Sequence, residues 1–311
     1  LNLQPPNLHI ETPLLESRAL TLIAGRSIWL KMDALQPSGS FKIRGIGLAC
    51  SEYARRGARR FISSSGGNAG IAVAYAARRL GLAATVVVPE SSTERARHLI
   101  RQEGAEVIVH GASWQEANAL AQSMIGASDA FVHPFDDPFV WEGHATLIDE
   151  VARAGLEPDA VVLSVGGGGL FCGIVKGLRR NGWGHVPIVT AETEGADSFA
   201  QAVRAGRRVS LDRITSIATS LGAKQICEEA FARSQDYPIR TAVVSDKSAV
   251  HACQRFLDDQ RVLVEPACGA ALALTYEASP QLAEFHKVLV IVCGGVTATV
   301  RQLDEWALKL G

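Results

Sequence analysis

The 311 residues carry 31 lysines and arginines against 32 aspartates and glutamates, a formal net charge of −1 with histidines neutral. Hydrophobic residues make up 47% and charged residues 20%, which excludes a disordered chain and fits one or two domains with a sizeable core. No basic stripe is interleaved with aromatics, so a nucleic-acid partner is not expected; Arg55-Arg56, Arg59-Arg60, Arg78-Arg79 and Arg179-Arg180 read as solvated helix faces.

The N-terminal stretch with Asn2, Gln4, Pro5 and Pro6 lacks the charged-then-apolar pattern of a signal segment. Beyond it, short β-branched runs predict strands at Ser27–Met32, Arg60–Ser63, Ala83–Val88, Glu106–His110, Ala130–His133, Ala160–Val165, Pro187–Ala191, Thr241–Val244 and Val288–Val292. Between them, apolar periodicity predicts helices at Asn68–Leu80, Ser92–Glu103, Trp114–Ile125 and Leu170–Leu178. Strands alternating with helices of this length imply βαβ units and mainly parallel sheets. Ala83–Val88 and Val288–Val292 are apolar at nearly every position, as strands covered on both faces are. Nine strands are many for one such sheet, so the fold class is α/β with two doubly wound domains. The strongest composition break is His133-Pro-Phe-Asp-Asp-Pro138. The longest apolar runs, such as Ala160–Val165, are too short to span a bilayer, and no membrane association is expected. The six cysteines show no CxxC and no Cys/His ligand spacing, which favours a reducing, cytoplasmic setting.

Four segments carry chemistry. In Gln36-Pro-Ser-Gly-Ser-Phe-Lys-Ile-Arg-Gly45, Lys42 follows a tight turn and an aromatic residue, and such an amine can form a Schiff base with an aldehyde cofactor. Ser63-Ser-Ser-Gly-Gly-Asn-Ala-Gly70 links a strand to a helix, and its backbone N–H groups at the positive helix end suit an anion. An ordinary turn with Asn68 as N-cap reads equally well from the residues alone. Val165-Gly-Gly-Gly-Gly-Leu170 lets backbone amides wrap a phosphate where a Cβ would clash. It also admits a dinucleotide loop, which wants an acidic residue about twenty positions on; Glu192 and Glu194 lie near that distance. Ile291-Val-Cys-Gly-Gly295 puts Cys293 at the carboxyl edge of a strand, either as a buried structural thiol or as a ligand contact. The eight histidines form no HxxxH pair and no Ser/His/Asp order, and His144 and His251 read as packed or surface residues.

Taken in this order, and with Glu265-Pro-Ala-Cys-Gly-Ala270 and Pro134-Phe-Asp-Asp-Pro138…Trp141-Glu-Gly-His144, the segments resemble the pyridoxal-phosphate enzymes of the β-elimination family (PLP fold type II, the tryptophan synthase β family). The likeness is greatest to the family's serine/threonine dehydratases and runs from Thr12 to the C-terminus. It implies a large cofactor-binding domain of residues 1–38 and 145–311, with a smaller α/β domain, 39–144, inserted. Pyridoxal 5'-phosphate is implied on Lys42, with Phe41 packed on its ring, Asn68 at its phenolic oxygen and Ser220 on the other ring face. Gly166, Gly167, Gly168, Gly169 and the Leu170 amide would hold its phosphate, and Cys293 its pyridine nitrogen. Ser65, Gly66, Gly67 and Asn68 would take the substrate carboxylate, and Phe135 would line the substrate pocket. Relatives vary between alanine and glycine at Gly66, and often have alanine at Ser220. A potassium ion is implied at Gly166, Glu192, Ala196, Leu221 and Ala223, although Glu192 also reads as a surface carboxylate.

The implied reaction is dehydrative deamination of L-serine to pyruvate and ammonia, and of L-threonine to 2-oxobutyrate and ammonia. Lys42 would anchor the cofactor and then, as a free amine, take the α-proton; desolvation favours the uncharged amine this needs. In relatives the cofactor phosphate serves as acid for the leaving hydroxyl. A thiol at Cys293 holds the pyridine nitrogen protonated less well than a carboxylate, which disfavours a long-lived carbanion. Serine racemisation, β-replacement, a low-activity non-catalytic relative and a nicotinamide-dependent oxidoreductase are the competing readings. A homodimer is the family expectation. No regulatory domain follows residue 311 in this sequence, so feedback control is not expected.

Overall fold

The computed structural model describes residues 7–311; the reading of the Asn2 to Pro6 stretch lies outside the described residues. Among them ten strands form: β1 (Leu14–Glu16), β2 (Ser27–Lys31), β3 (Arg60–Ser63), β4 (Ala83–Val88), β5 (Glu106–Val109), β6 (Asp129–Phe131), β7 (Ala160–Ser164), β8 (Ile188–Thr193), β9 (Ile239–Val244) and β10 (Lys287–Ile291). Nine lie within two residues of their predicted ends. The addition is β1, whose three residues are too few to show a period. The predicted Ser92–Glu103 helix begins at Glu94, because the Thr93 side chain accepts from the Ala96 N–H as an N-cap. The predicted Leu170–Leu178 helix extends to Gly169–Arg180.

The chain divides into two compact units: the described residues up to Ile10 with Gln36–His144, and Glu11–Leu35 with Ala145–Gly311. In the first, four strands run parallel in the order β5-β4-β3-β6. From β3 the chain winds outward through β4 and β5, then returns to the other side of β3 as β6. Such a reversal opens a crevice at the carboxyl ends of the two strands flanking it. The loop after β3 and the turn after β6 therefore leave the same sheet edge, although some seventy residues separate them; β3 and β6 pair Ile62 with Phe131. Ile62, Val87, Ala117 and Ala121 form a buried cluster beneath them, with Ile108, Leu120, Met124 and Phe131 packed against it.

The second unit holds six strands in the order β1-β2-β10-β7-β8-β9, parallel except for the short antiparallel β1. Here β10, last in sequence, inserts between β2 and β7. The glycine run after β7 and Cys293 after β10 thus leave neighbouring parallel strands at the same edge. Strand β7 is buried at every position and β10 at all but its first, as strands covered on both faces require. Lys31, at the end of β2, is buried with its Nζ 2.5 Å from Glu150 Oε2, and it donates to the Thr12 carbonyl. Thr12 Oγ1 donates in turn to Asp33 Oδ1 at 2.7 Å, so a charge-paired network anchors the segment that enters the sheet.

Candidate active site

The functional residues are distributed over both units. In the first, Lys42 is the opening residue of a helix, Lys42–Arg55, whose N-cap position, Phe41, gives no side-chain cap. Its Nζ donates to the Pro134 carbonyl at 2.9 Å and lies 5.1 Å from the centroid of the Phe41 ring. The helix is held from behind at very close range. A Cβ on Gly45 would meet the Val140 carbonyl at 2.5 Å, and one on Gly143 would meet the Arg44 carbonyl at 2.2 Å. His144 packs its ring 4.9 Å from that of Phe41 and is fully buried. Burial, reinforced by the charges of Lys42, Arg44 and His9, holds its pKa well below the ordinary imidazole value.

The loop after β3 runs into the helix Asn68–Leu80, with Gly67 rather than Asn68 at the N-cap and again no side-chain cap. Uncapped first-turn amides are open to an anion. Asn68 is buried at that helix start, and Ser65, Gly66 and Gly67 are half-buried. A Cβ on Gly66 would lie 2.0 Å from Ser92 Oγ, so alanine there requires Ser92 to move. Three buried hydroxyls in these two segments, Ser38 Oγ, Ser40 Oγ and Ser64 Oγ, have no hydrogen-bond partner among the described residues. Buried hydroxyls are ordinarily satisfied, so their exposure to an incoming polar ligand is the economical explanation. Phe135 stands in the turn after β6, its ring edge-on to His133 at 4.7 Å.

In the second unit the glycine run wraps onto the helix Gly169–Arg180. Gly168, its N-cap, has φ +98°, and a Cβ there would strike the Ala230 Cβ at 2.3 Å. No side chain caps this helix. The Cys227 N–H ties the loop down through the Gly167 carbonyl. A phosphate fits such a loop: small, backbone-lined and uncapped. A Cβ on Gly166 would come within 3.2 Å of the Ser220 carbonyl and 3.3 Å of the Leu221 carbonyl, so these predicted residues adjoin the run; Ser220 itself is exposed.

Glu192, at the end of β8, is buried, which removes the surface-carboxylate reading. Its two oxygens accept from the N–H groups of Phe199 and Ala200 at 2.8 and 2.7 Å. Burial pushes its pKa up to about 8, against the pull of those two amides. Ser198 Oγ beside them donates to the Ala223 carbonyl, and Ala196 lies just before the helix that begins at Ser198, so Glu192, Ala196 and Ala223 of the predicted cation set gather at one helix start. Cys293 is buried and shares a hydrogen bond with the Cys268 thiol; that bond and burial hold it as a neutral thiol.

A sequence profile described as "Pyridoxal-phosphate dependent enzyme" matches residues 7–294. The chain belongs to this family. It is 47% identical to a human protein named L-serine dehydratase/L-threonine deaminase, over 98% of this chain and 96% of that one. It superposes on a fungal L-serine ammonia-lyase from Rhizomucor miehei with a TM-score of 0.93 at 35% identity, over 98% and 99% of the two chains. A maize serine racemase, 24% identical over 97% of this chain and 93% of its own, has a TM-score of 0.88 and shows the shared fold alone. The fold is that of PLP fold type II, and the human and fungal relatives carry the names of lyases.

Several residues of this site escaped sequence reasoning. Ser92 carries no motif, and its approach to Gly66 depends on the loop after β4 folding back. Gly45 and Gly143 act at helix contacts that no local period reveals, whereas His144, read as a packed or surface residue, is packed. His133 and Trp114 lie far apart in sequence, and nothing in their local patterns joins them.

Proposed function

We propose that this chain is a pyridoxal-phosphate-dependent L-serine/L-threonine dehydratase, releasing ammonia with pyruvate or 2-oxobutyrate. The observation that carries the reading is the buried Cys293 just past the carboxyl end of β10, a thiol rather than a carboxylate at that place. A neutral thiol makes no ion pair with a protonated ring nitrogen, and that favours prompt β-elimination over chemistry needing a long-lived carbanion. The human and fungal relatives support the substrate class by their names.

Lys42 Nζ would hold the cofactor aldehyde carbon, Phe41 and Ser220 its ring faces, Asn68 its phenolic oxygen and Cys293 its ring nitrogen. Gly166–Gly169 and the Leu170 amide would hold the phosphate. When bound, the cofactor supplies a sink for the electron pair left at the substrate α-carbon. The Ser65–Gly67 loop, at the start of the Asn68–Leu80 helix, orients the substrate carboxylate, and Phe135 excludes water beside it. Once exchanged for the substrate amine, Lys42 Nζ takes the α-proton.

A potassium ion among Gly166, Glu192, Ala196, Leu221 and Ala223 completes this reading, supported by the buried Glu192 carboxylate and the hard oxygen character of the set. So do a cytoplasmic setting, supported by six buried cysteines that form no disulfide among the described residues, and a homodimer, supported by the family resemblance. No helix among the described residues is long and apolar enough to cross a membrane. The test is Lys42→Ala: borohydride-reducible cofactor and ammonia release from serine should both disappear. Persistent elimination in that variant overturns the reading.

A further inference from the structure

His133 takes no part in the chemistry above, yet it stands against the residue that does. Its Nδ1 accepts from the Asp136 N–H at 2.8 Å and from the Phe135 N–H at 3.3 Å. The second of these belongs to the Pro134–Phe135 peptide, whose carbonyl receives Lys42 Nζ at 2.9 Å. A trans peptide is planar, and its N–H and C=O point to opposite sides; no cis peptide bond occurs among the described residues. One rigid plane thus has the imidazole on one edge and the lysine amine on the other. Rotating it to release His133 withdraws the carbonyl from Lys42.

The ring is itself fixed. Phe135, Phe131 and Trp114 meet it edge-on, with centroids at 4.7, 6.2 and 6.5 Å. Trp114 Nε1 donates to the Ser64 carbonyl at 2.7 Å, which ties the cluster to the anion loop.

The geometry points to His133 as a positioning residue: as the neutral tautomer protonated on Nε2, it sets the Pro134 carbonyl that holds the Lys42 amine in place. Accepting two N–H donors requires Nδ1 to be unprotonated. Burial, and then the nearby Lys42 charge, bring its pKa down to about 4, against the opposing charge of Asp137. The acceptor is therefore available throughout the neutral range.

The inference rests on Lys42 being the cofactor's anchor, and one experiment separates the two. Full-length protein stripped of cofactor is mixed with pyridoxal phosphate and quenched with borohydride at intervals from pH 5 to 9. The reduced pyridoxyl group on the Lys42 peptide is counted by mass spectrometry. No trapping in the wild type overturns the anchor assignment itself. With trapping present, His133→Phe, which keeps a ring and loses the acceptor, should slow it about tenfold. His133→Asn should remain within about threefold of wild type, since an asparagine oxygen accepts from N–H groups two and three residues on. Equal rates in wild type and His133→Phe overturn the inference, as does equal slowing in both variants. If either variant misfolds by circular dichroism, the wild type decides through nitrogen-15 imidazole shifts: an Nε2–H tautomer at pH 7 is expected, and an Nδ1–H tautomer overturns the inference.

Discussion

Acidification should take more stability from this protein than its carboxylates account for, and His144 is where the excess can be removed. The imidazole is fully buried, and both its nitrogens lack a hydrogen-bond partner among the described residues. Its pKa is held well below the ordinary 6.5. His133, brought down from 6.5 to about 4, behaves alike. Because both folded values are depressed, the unfolded chain binds protons that the folded chain refuses. Stability from this source is whole above about pH 6.5 and is lost as the pH falls. Each group approaches a slope of about 1.4 kcal/mol per pH unit, so moving from about pH 6.5 to about pH 5 removes about 2 kcal/mol apiece. His144→Leu deletes one share. Urea unfolding at pH 7.5 and at pH 5.0 should show the variant losing about 2 kcal/mol less than wild type between the two. At pH 7.5 the variant should lie within about 1 kcal/mol of wild type, since no hydrogen bond is forfeited. Carboxylates titrate in both proteins and cancel in the comparison. Equal losses on acidification would refute the argument.

Three further outcomes follow from the site. Gly168→Ala places a Cβ 2.3 Å from that of Ala230 at φ +98°, and cofactor affinity, read by absorbance titration, should fall about 100-fold; an unchanged Kd counts against the phosphate assignment. Gly66→Ala should raise the KM for serine about fivefold through Ser92, and adding Ser92→Gly should remove most of that shift. Exchanging potassium for N-methylglucamine should lower the wild-type Tm by about 3 °C and leave Glu192→Gln unmoved; equal responses would argue against a cation at Glu192.

The β7 and β10 strands were legible because burial on both faces leaves an unbroken apolar run, and the lysine, asparagine and glycine segments because each compresses its chemistry into a few adjacent residues. Strand β1 was not, since three residues carry no period and its place depends on an antiparallel partner thirteen to seventeen positions on. Glu192 was ambiguous for a different reason: a carboxylate's burial is decided by the helix that folds over it, here the amides of Phe199 and Ala200. Cys293 stood out by its place at a strand end, as either a structural thiol or a ligand contact, while its contact with Cys268 joins separate segments of the chain.

From the residues alone came the groups that are present and the local backbone that offers them: an amine after a tight turn, and two glycine-rich turns each leading from a strand into a helix. These depend on φ/ψ preference and capping, which act over a few residues. The tertiary structure alone decided which distant groups meet. The winding of β3 and β6 brings the Ser63–Asn68 loop and the His133–Asp137 turn to one edge, and the Gly45–Gly143 approach seats the Lys42 helix. Such meetings follow from strand order and side-chain volume at contacts between elements, and no local pattern encodes them.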